Sequence, residues 1–141
     1  MRLKPIEIRE WSLYAVCDER GGCRLMDFLS DLKAADPAEA ERVAALLRRV
    51  AGAGPPRNKE TSRRLHSAAR RGRAGETIFE LKPAGAVRIL YFYDEGRVIV
   101  CFRGMLKPKR TELAAVVRQA AETRGRYFRD KAQSRILIVE E

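Results

Sequence analysis

The sequence lacks long hydrophobic runs: within its 141 residues, uninterrupted apolar stretches are only a few residues long. A helix that crosses a membrane needs about 20 apolar residues in succession, so the sequence predicts no membrane partner. Residues 1–5 also lack the apolar core of a secretory signal. We therefore expect a cytoplasmic protein.

Cysteine and histidine, which often hold metals in proteins, are scarce. The three cysteines are Cys17, Cys23 and Cys101, and no two of them form a CxxC pair. An odd number without that spacing favours a reducing compartment and three ordinary, mostly buried thiols. His66 is the one histidine, and its place inside a basic connection argues against a catalytic base. We expect neither a metal nor a cofactor.

Positive charge, by contrast, is abundant and clustered. Lys and Arg number 29 against 19 Asp and Glu, and the formal net charge is +10. One cluster, opposed only by Glu60, contains Arg57, Lys59, Arg63, Arg64, Arg70, Arg71 and Arg73. A second cluster contains Arg103, Lys107, Lys109 and Arg110. Clustered cations predict a polyanion partner, most often nucleic acid, bound through its phosphates. The alternative for residues 57–73 is a solvated loop.

The first half of the chain predicts a strand and a helical hairpin. Residues 11–17 are rich in aromatic and apolar side chains, which is typical of a strand. Apolar residues at helical spacing predict a first helix over residues 24–34. A second helix begins after Asp36, which can cap it, and ends at Gly52 to Pro56. The polar residues 57–75 are predicted to form a connection that is partly helical around 63–71.

The second half predicts three strands, over residues 77–82, 87–94 and 98–103. Both faces of the middle strand are apolar, so we predict a central strand that is covered on both sides. Its tyrosines, Tyr91 and Tyr93, are assigned to the core. The Asp94-Glu95-Gly96 sequence supplies the turn into the next strand.

A third helix is predicted to start at Thr111, which can cap it, and to end near Gly125. Residues 135–139 form either a final strand or a disordered end. The element order predicts one α+β domain over residues 1–141. In it, an N-terminal strand and the helical hairpin pack with a further C-terminal helix on a small antiparallel sheet, with the helices mainly on one face.

Three phrases of the second half are distinctive: Ile78-Phe79-Glu80-Leu81-Lys82, Val87-Arg88-Ile89-Leu90-Tyr91-Phe92, and Arg103-Gly104-Met105-Leu106-Lys107-Pro108-Lys109-Arg110-Thr111. They resemble the phage-derived, HigB-like branch of the RelE/ParE superfamily of toxins from type II toxin–antitoxin systems. The resemblance is strongest over residues 77–128 and extends over 11–56 in element order only. The tail at 132–141 has no counterpart. A RelE-like fold is therefore expected.

The sequence departs from the pattern of that family at three positions. Lys82 stands where an arginine is usual, which keeps the charge but loses bidentate geometry. Arg103 stands where a histidine is common, and Pro108 interrupts a usual pair of lysines.

The resemblance implies ribosome-dependent cleavage of mRNA, which stops translation, and a cognate antitoxin that holds the toxin inactive. In that chemistry the 2′-OH of the RNA attacks the neighbouring phosphate. We predict that Arg88 and Arg103 bind the phosphate and its transition-state charge, assisted by Lys82 and Lys107. Tyr127 is predicted to stack on a base or to donate a proton. RNA backbone contacts are predicted for Lys109, Arg110, Arg63, Arg64, Arg70, Arg71 and Arg73.

Each catalytic prediction has a structural alternative. Arg88 can instead pair with Glu80 or Asp94. Arg103 and Lys107 can be solvated loop charges, and Tyr127 can be a packing residue. For the whole protein, the alternative is a non-catalytic or ParE-like member of the same fold that binds RNA or gyrase without cutting mRNA. A DNA-binding repressor would need a helix-turn-helix or ribbon signature, and the sequence contains none.

Overall fold

The computed structural model describes residues 1–58, 60–65, 77–83 and 85–139. The elements, in chain order, are β1 (Arg2–Ile8), β2 (Ser12–Cys17), α1 (Arg24–Ala35), α2 (Pro37–Ala53), β3 (Ser62–Leu65), β4 (Ile78–Leu81), β5 (Val87–Asp94), β6 (Val98–Leu106), α3 (Arg110–Ala132) and β7 (Leu137–Ile138). The predicted α+β class is confirmed.

The strands form one mixed sheet in the order β3-β4-β5-β6-β2-β1-β7. Neighbours from β3 to β6 are antiparallel, as are β1 and β2. However, β2 runs parallel to β6, and β7 runs parallel to β1. The prediction of an antiparallel sheet was therefore wrong. A tight turn forces antiparallel pairing only between consecutive strands, and neither β2 and β6 nor β1 and β7 are consecutive.

Helices cover both faces of this sheet, which corrects the expectation that they lie mainly on one face. One core lies between the sheet and the hairpin of α1 and α2, and includes Ile89 and Tyr91 of β5. The other lies between the sheet and α3, and includes Leu90 and Phe92 of the same strand. All four side chains are at most 1% exposed. The prediction that β5 is a central strand covered on both sides is thus confirmed. Tyr93, also assigned to the core, is instead 45% exposed.

The helical hairpin begins and ends close to the predicted positions. The Asp36 carboxylate accepts a hydrogen bond of 3.1 Å from the backbone N–H of Glu39, which confirms the predicted cap of α2. The helix ends at Ala53 and is followed by Gly54, whose φ is +91°. A Cβ there would lie 2.8 Å from the Trp11 ring, so this position favours glycine on two grounds.

Two strands were not predicted. Residues 2–8 form β1, an edge of the first hairpin, and residues 62–65 form β3 where a partly helical connection was expected. In β3, Arg63 pairs with Glu80 across the sheet. This pairing with β4 provides hydrogen bonds and an ion pair that a local sequence pattern does not reveal. Lys59, His66 and residues 67–76 lie outside the described residues.

The C-terminal helix α3 is longer than predicted and starts earlier. Lys109 occupies the position before its first turn, so Thr111 lies within the helix, which runs through Gly125 to Ala132. Tyr127 and Phe128 pack on the core beyond Gly125. Their burial offsets the roughly 1 kcal/mol by which glycine disfavours a helix. Of the two alternatives for the tail, the structure shows the strand, β7.

The cysteines differ from the prediction of three thiols. Cys17 and Cys23 form a disulfide, with Cα atoms 4.3 Å apart, whereas Cys101 is a free, buried thiol. The loop between them folds back because the Asp18 side chain accepts hydrogen bonds of 2.9 Å from the backbone N–H groups of Arg20 and Gly22. That turn brings two cysteines together without a CxxC sequence.

Candidate nucleic-acid interface

Cations collect at one end of the sheet, which we call the basic end. It is the end where β4, β6 and β2 stop and where β3 and β5 begin, as their pairing directions require. The backbone N–H of Lys82 donates to Thr61 there, and that of Lys107 donates to Ala86, at 2.7 and 2.6 Å. The basic end is defined by Lys82, Arg88, Arg103, Lys107, Lys109 and Arg110. The structure thus brings together positions that lie far apart in the chain.

A cross-strand row runs through this region on the face that α3 covers. The register places Arg63 opposite Glu80, Glu80 opposite Leu90, and Leu90 opposite Arg103. Residues opposite each other on neighbouring strands share a face, with Cβ atoms about 5 Å apart. Arg88 lies diagonally beside this row, because its partner on β6 is Met105.

Glu80 is the centre of this row and was not predicted as a site residue. Its side chain is 2% exposed, and its Oε1 lies 3.2 Å from Arg63 Nη2 and 3.9 Å from Arg88 Nε. Oε1 makes no hydrogen bond of good geometry, so both contacts are ion pairs only. Since an unpaired buried carboxylate would be strongly unfavourable, the two guanidinium groups stabilise Glu80, and Glu80 in turn positions them.

The side chain of Arg88 is held mainly by hydrogen bonds to nearby backbone carbonyl groups. Its Nη1 donates to the carbonyl oxygens of Gly85 at 3.0 Å and Val87 at 2.8 Å, and its side chain is 15% exposed. The alternative of pairing with Glu80 is therefore realised in the structure, whereas pairing with Asp94 is not. Asp94 ends β5 at the opposite end of the sheet.

Arg103 lies apart from that group, because the fully buried Leu90 separates it from Glu80. Its Nε is buried and has no hydrogen-bond partner. Burial first, and the nearby charge of Arg24 second, lower the pKa of Arg103 below its usual value. Arg24 begins α1 and is a residue that sequence reasoning missed, since nothing around it marks it as special. Two neighbouring cations with an unused donor are suited to bind an anion.

Lys82 faces a different neighbourhood from Arg88. It lines a cleft of 260 Å³ between α2 and the end of β4, together with Arg42, Arg49 and Thr61. Arg42 forms an ion pair with Glu39. Arg42 and Arg49 were not predicted; their seven-residue spacing, which places both on one face of α2, is the signal that could have found them.

Tyr127 is not at the basic end. Its ring is 4% exposed and packs edge-on against Phe92, with centroids 5.4 Å apart. Its hydroxyl donates to Asp94 Oδ2 at 2.8 Å, and Lys131 Nζ contacts the same oxygen at 2.6 Å. Burial, and then the hydrogen bond to Asp94, raise the pKa of the tyrosine. These contacts are those of the packing alternative, because a buried ring is not available for stacking on a base.

The remaining predicted site residues that the structure describes lie in two places. Lys107, Lys109 and Arg110 are exposed where β6 passes into α3, and Arg63 and Arg64 are exposed on β3. Arg70, Arg71 and Arg73 lie outside the described residues. Within the part of the chain that the structure describes, no group of three His, Cys, Asp or Glu side chains could hold a metal ion. None of the helices described there has the length and apolar content to span a bilayer.

Comparison with known protein families assigns the chain to one of them. The family model described as "Phage derived protein Gp49-like (DUF891)" matches residues 30–126. That range includes the second half of α1, all of α2, most of α3 and the whole basic end, so it extends further towards the N-terminus than the resemblance over 77–128. No curated relative matches the chain. The chain belongs to the Gp49-like family of phage-derived proteins, a family of RelE/HigB-like toxins in toxin–antitoxin systems.

Proposed function

We propose that this chain is the toxin of a toxin–antitoxin pair and that it cleaves mRNA bound to the ribosome. The observation that carries the proposal is the basic end, where Arg88 and Arg103 share one face of neighbouring strands. Lys107, Lys109 and Arg110 follow directly at the exposed joint to α3. A cluster of this kind can hold an RNA backbone and leave a phosphate between guanidinium groups.

The reaction needs charge stabilisation more than covalent catalysis. The 2′-oxygen of one nucleotide forms a bond to the adjacent phosphorus, and the bond from phosphorus to the 5′-oxygen of the next nucleotide breaks. The 2′-OH loses its proton, and the leaving 5′-oxygen gains one. The products are a 2′,3′-cyclic phosphate and a free 5′-OH. The pentavalent transition state carries an additional negative charge, which arginine side chains stabilise.

The residues take the following roles in this proposal. Arg88 and Arg103 bind the phosphate and its developing charge, and Glu80 positions Arg88. Lys107, exposed beside them, and Lys82, in the cleft beside α2, assist by adding positive charge near the RNA backbone. Tyr127 has no role, because its ring is buried.

Backbone contacts would come from the exposed cations Lys109, Arg110, Arg63 and Arg64. The family also suggests an antitoxin as partner. An acidic segment of that antitoxin would neutralise the basic end, where charge complementarity favours it.

The test is induced expression followed by mapping of RNA 5′ ends. The wild type should arrest growth and produce fragments with 5′-OH ends within ribosome-occupied codons. Arg88→Ala and Arg103→Ala should each abolish the fragments while the protein remains folded, as judged by circular dichroism. Arg48→Ala is the matched control: it removes an arginine from the exposed side of α2, whose ion pair with Glu41 contributes little. Fragments that persist in both site variants would refute the assignment.

A second candidate is a non-catalytic member of the same family that binds RNA or gyrase. It is favoured by one observation: Arg88 Nη1 already donates to two backbone carbonyls, and its Nε forms an ion pair with Glu80. This candidate predicts growth arrest with intact messages. The same mapping experiment therefore separates the two.

A further inference from the structure

A small cleft lies at the end of the sheet opposite the basic end. Its volume is 200 Å³, and it is lined by Arg64, Thr77, Phe79, Tyr93 and Arg124. Arg64 is the third residue of β3, Phe79 the second of β4, and Tyr93 the next to last of β5. We call it the aromatic cleft. Neither the family resemblance nor the cation clusters of the sequence predicted that these residues form one site.

Stacked rings form one side of this cleft. The ring centroids of Phe79 and Tyr93 are 5.2 Å apart at an interplanar angle of 29°, and those of Phe79 and Tyr91 are 5.4 Å apart at 23°. Tyr91 is buried at 1% exposure, whereas Tyr93 is 45% exposed. The stack therefore leads from the core to a ring that water can reach, and its packing on Phe79 holds that ring in place.

Two arginines supply charge beside the rings. Arg64 is exposed on β3, and its register partner Phe79 places it on the same face as the stack. Arg124 also lines the cleft, and its guanidinium lies 4.5 Å from the centre of the Phe128 ring, which packs with the core on the α3 side. Proteins that bind single-stranded nucleic acids combine exposed aromatic rings with cations. The bases stack on the rings, and the cations neutralise the phosphates.

We propose that the aromatic cleft holds one unpaired base of a single-stranded RNA, stacked on Tyr93, with a flanking phosphate against Arg64. This inference rests on the proposed function, because it concerns how the same RNA is held away from the cleaved bond. The volume supports a single base, since pockets for drug-sized ligands measure about 300–1,000 Å³. The charge supports RNA over an apolar peptide.

The position of the cleft is compatible with one continuous RNA strand. Tyr93 follows Arg88 by five positions along β5, which corresponds to about 16 Å at the usual rise of a strand. This odd separation places the two side chains on opposite faces of the sheet, so an RNA strand that reaches both the basic end and the aromatic cleft passes around the edge that β3 forms. Base stacking is tolerant of sequence, because every base has an aromatic face.

The experiment compares two ribo-oligonucleotides of equal length and charge by fluorescence anisotropy: one of uridines, and one in which the central positions lack bases. The wild type should bind the base-bearing strand more tightly. Tyr93→Leu should weaken its binding by about 5- to 140-fold, which is the range for loss of one base–aromatic stack. The same variant should leave the affinity for the abasic strand unchanged, and Tyr93→Phe should retain the wild-type preference.

Ile8→Ser serves as a control, because it removes another exposed apolar side chain, 55% exposed and on the distant strand β1. Arg64→Ala should weaken binding of both strands alike. Equal affinity of the wild type for the two strands would overturn the aromatic cleft, whatever the cleavage assay shows. Loss of antitoxin binding in Tyr93→Leu, with unchanged RNA binding, would overturn it in favour of a protein-docking surface. The proposed cleavage function is refuted by a different result, namely the absence of 5′-OH fragments when the wild type is expressed.

Discussion

Replacing Tyr127 by phenylalanine separates the two roles that the sequence left open for this residue. The structure assigns Tyr127 to packing, so the variant should be less stable and equally able to cut RNA. The change removes one oxygen from a side chain that is 4% exposed, and leaves the ring and its contact with Phe92 in place. The effect therefore reports on the hydrogen bond from the hydroxyl to Asp94 at 2.8 Å.

The size of the effect follows from the surroundings of Asp94. A hydrogen bond to a charged group contributes about 1.5–3 kcal/mol to stability. Lys131 stays bound to the same carboxylate oxygen and is half exposed, so it partly compensates for the lost hydroxyl. We therefore expect a loss of about 1–2 kcal/mol in the free energy of unfolding. For a chain of this size that corresponds to a decrease of roughly 3–10 °C in Tm.

Thermal unfolding by circular dichroism measures the change, and RNA 5′-end mapping measures activity. Tyr93→Phe is the matched control, because its hydroxyl belongs to an exposed ring and its removal should alter stability by less than about 0.5 kcal/mol. If Tyr127→Phe kept the wild-type Tm but lost RNA cleavage, the packing assignment would be wrong and Tyr127 would belong to the catalytic groups.

Two further predictions concern stability. Burial alone would raise the pKa of Asp94, but hydrogen bonds from Lys131 and Tyr127 outweigh it and lower that pKa below 3.8. The stability from this carboxylate is therefore complete above pH 3.8 and lost as the pH falls through the folded value. The difference in unfolding free energy between wild type and Asp94→Asn should shrink in acid, and a constant difference would contradict it. Reduction of the Cys17–Cys23 disulfide should lower the free energy of unfolding by about 2 kcal/mol, because the loop that it closes is short, with a sequence separation of 6. A Cys17→Ser/Cys23→Ser double variant should have the stability of the reduced protein. Reductant should not change the Tm of that variant.

Features that depend on neighbouring residues could be predicted. The cap of α2 at Asp36 followed from the proline and glutamate just after it, and the structure has that hydrogen bond. The two apolar faces of residues 87–93 correctly indicated a strand between two layers. Clustering of Lys107, Lys109 and Arg110 was visible directly, because these residues are close in the chain.

Features that depend on strand pairing could not be predicted from the sequence. Tyr91 and Tyr93 follow the same alternation, yet one is buried and the other is exposed. The difference arises from what covers β5 at each end, which the period of two does not contain. Likewise, Glu80 lies at the centre of the cross-strand row only because β3 places Arg63 opposite it.

By itself, the sequence determined the net positive charge and its clustering along the chain, the positions of α1 and α2, and the strands of the second half. These follow from propensities and periodicities that act over a few residues. Only the tertiary structure decided which cations meet: Arg88 and Arg103 on one face, Lys82 in a cleft beside α2, and Arg24 close to Arg103. The physical reason is that strand order and register set distances between residues far apart in the chain. Those distances decide which charges can act on the same phosphate.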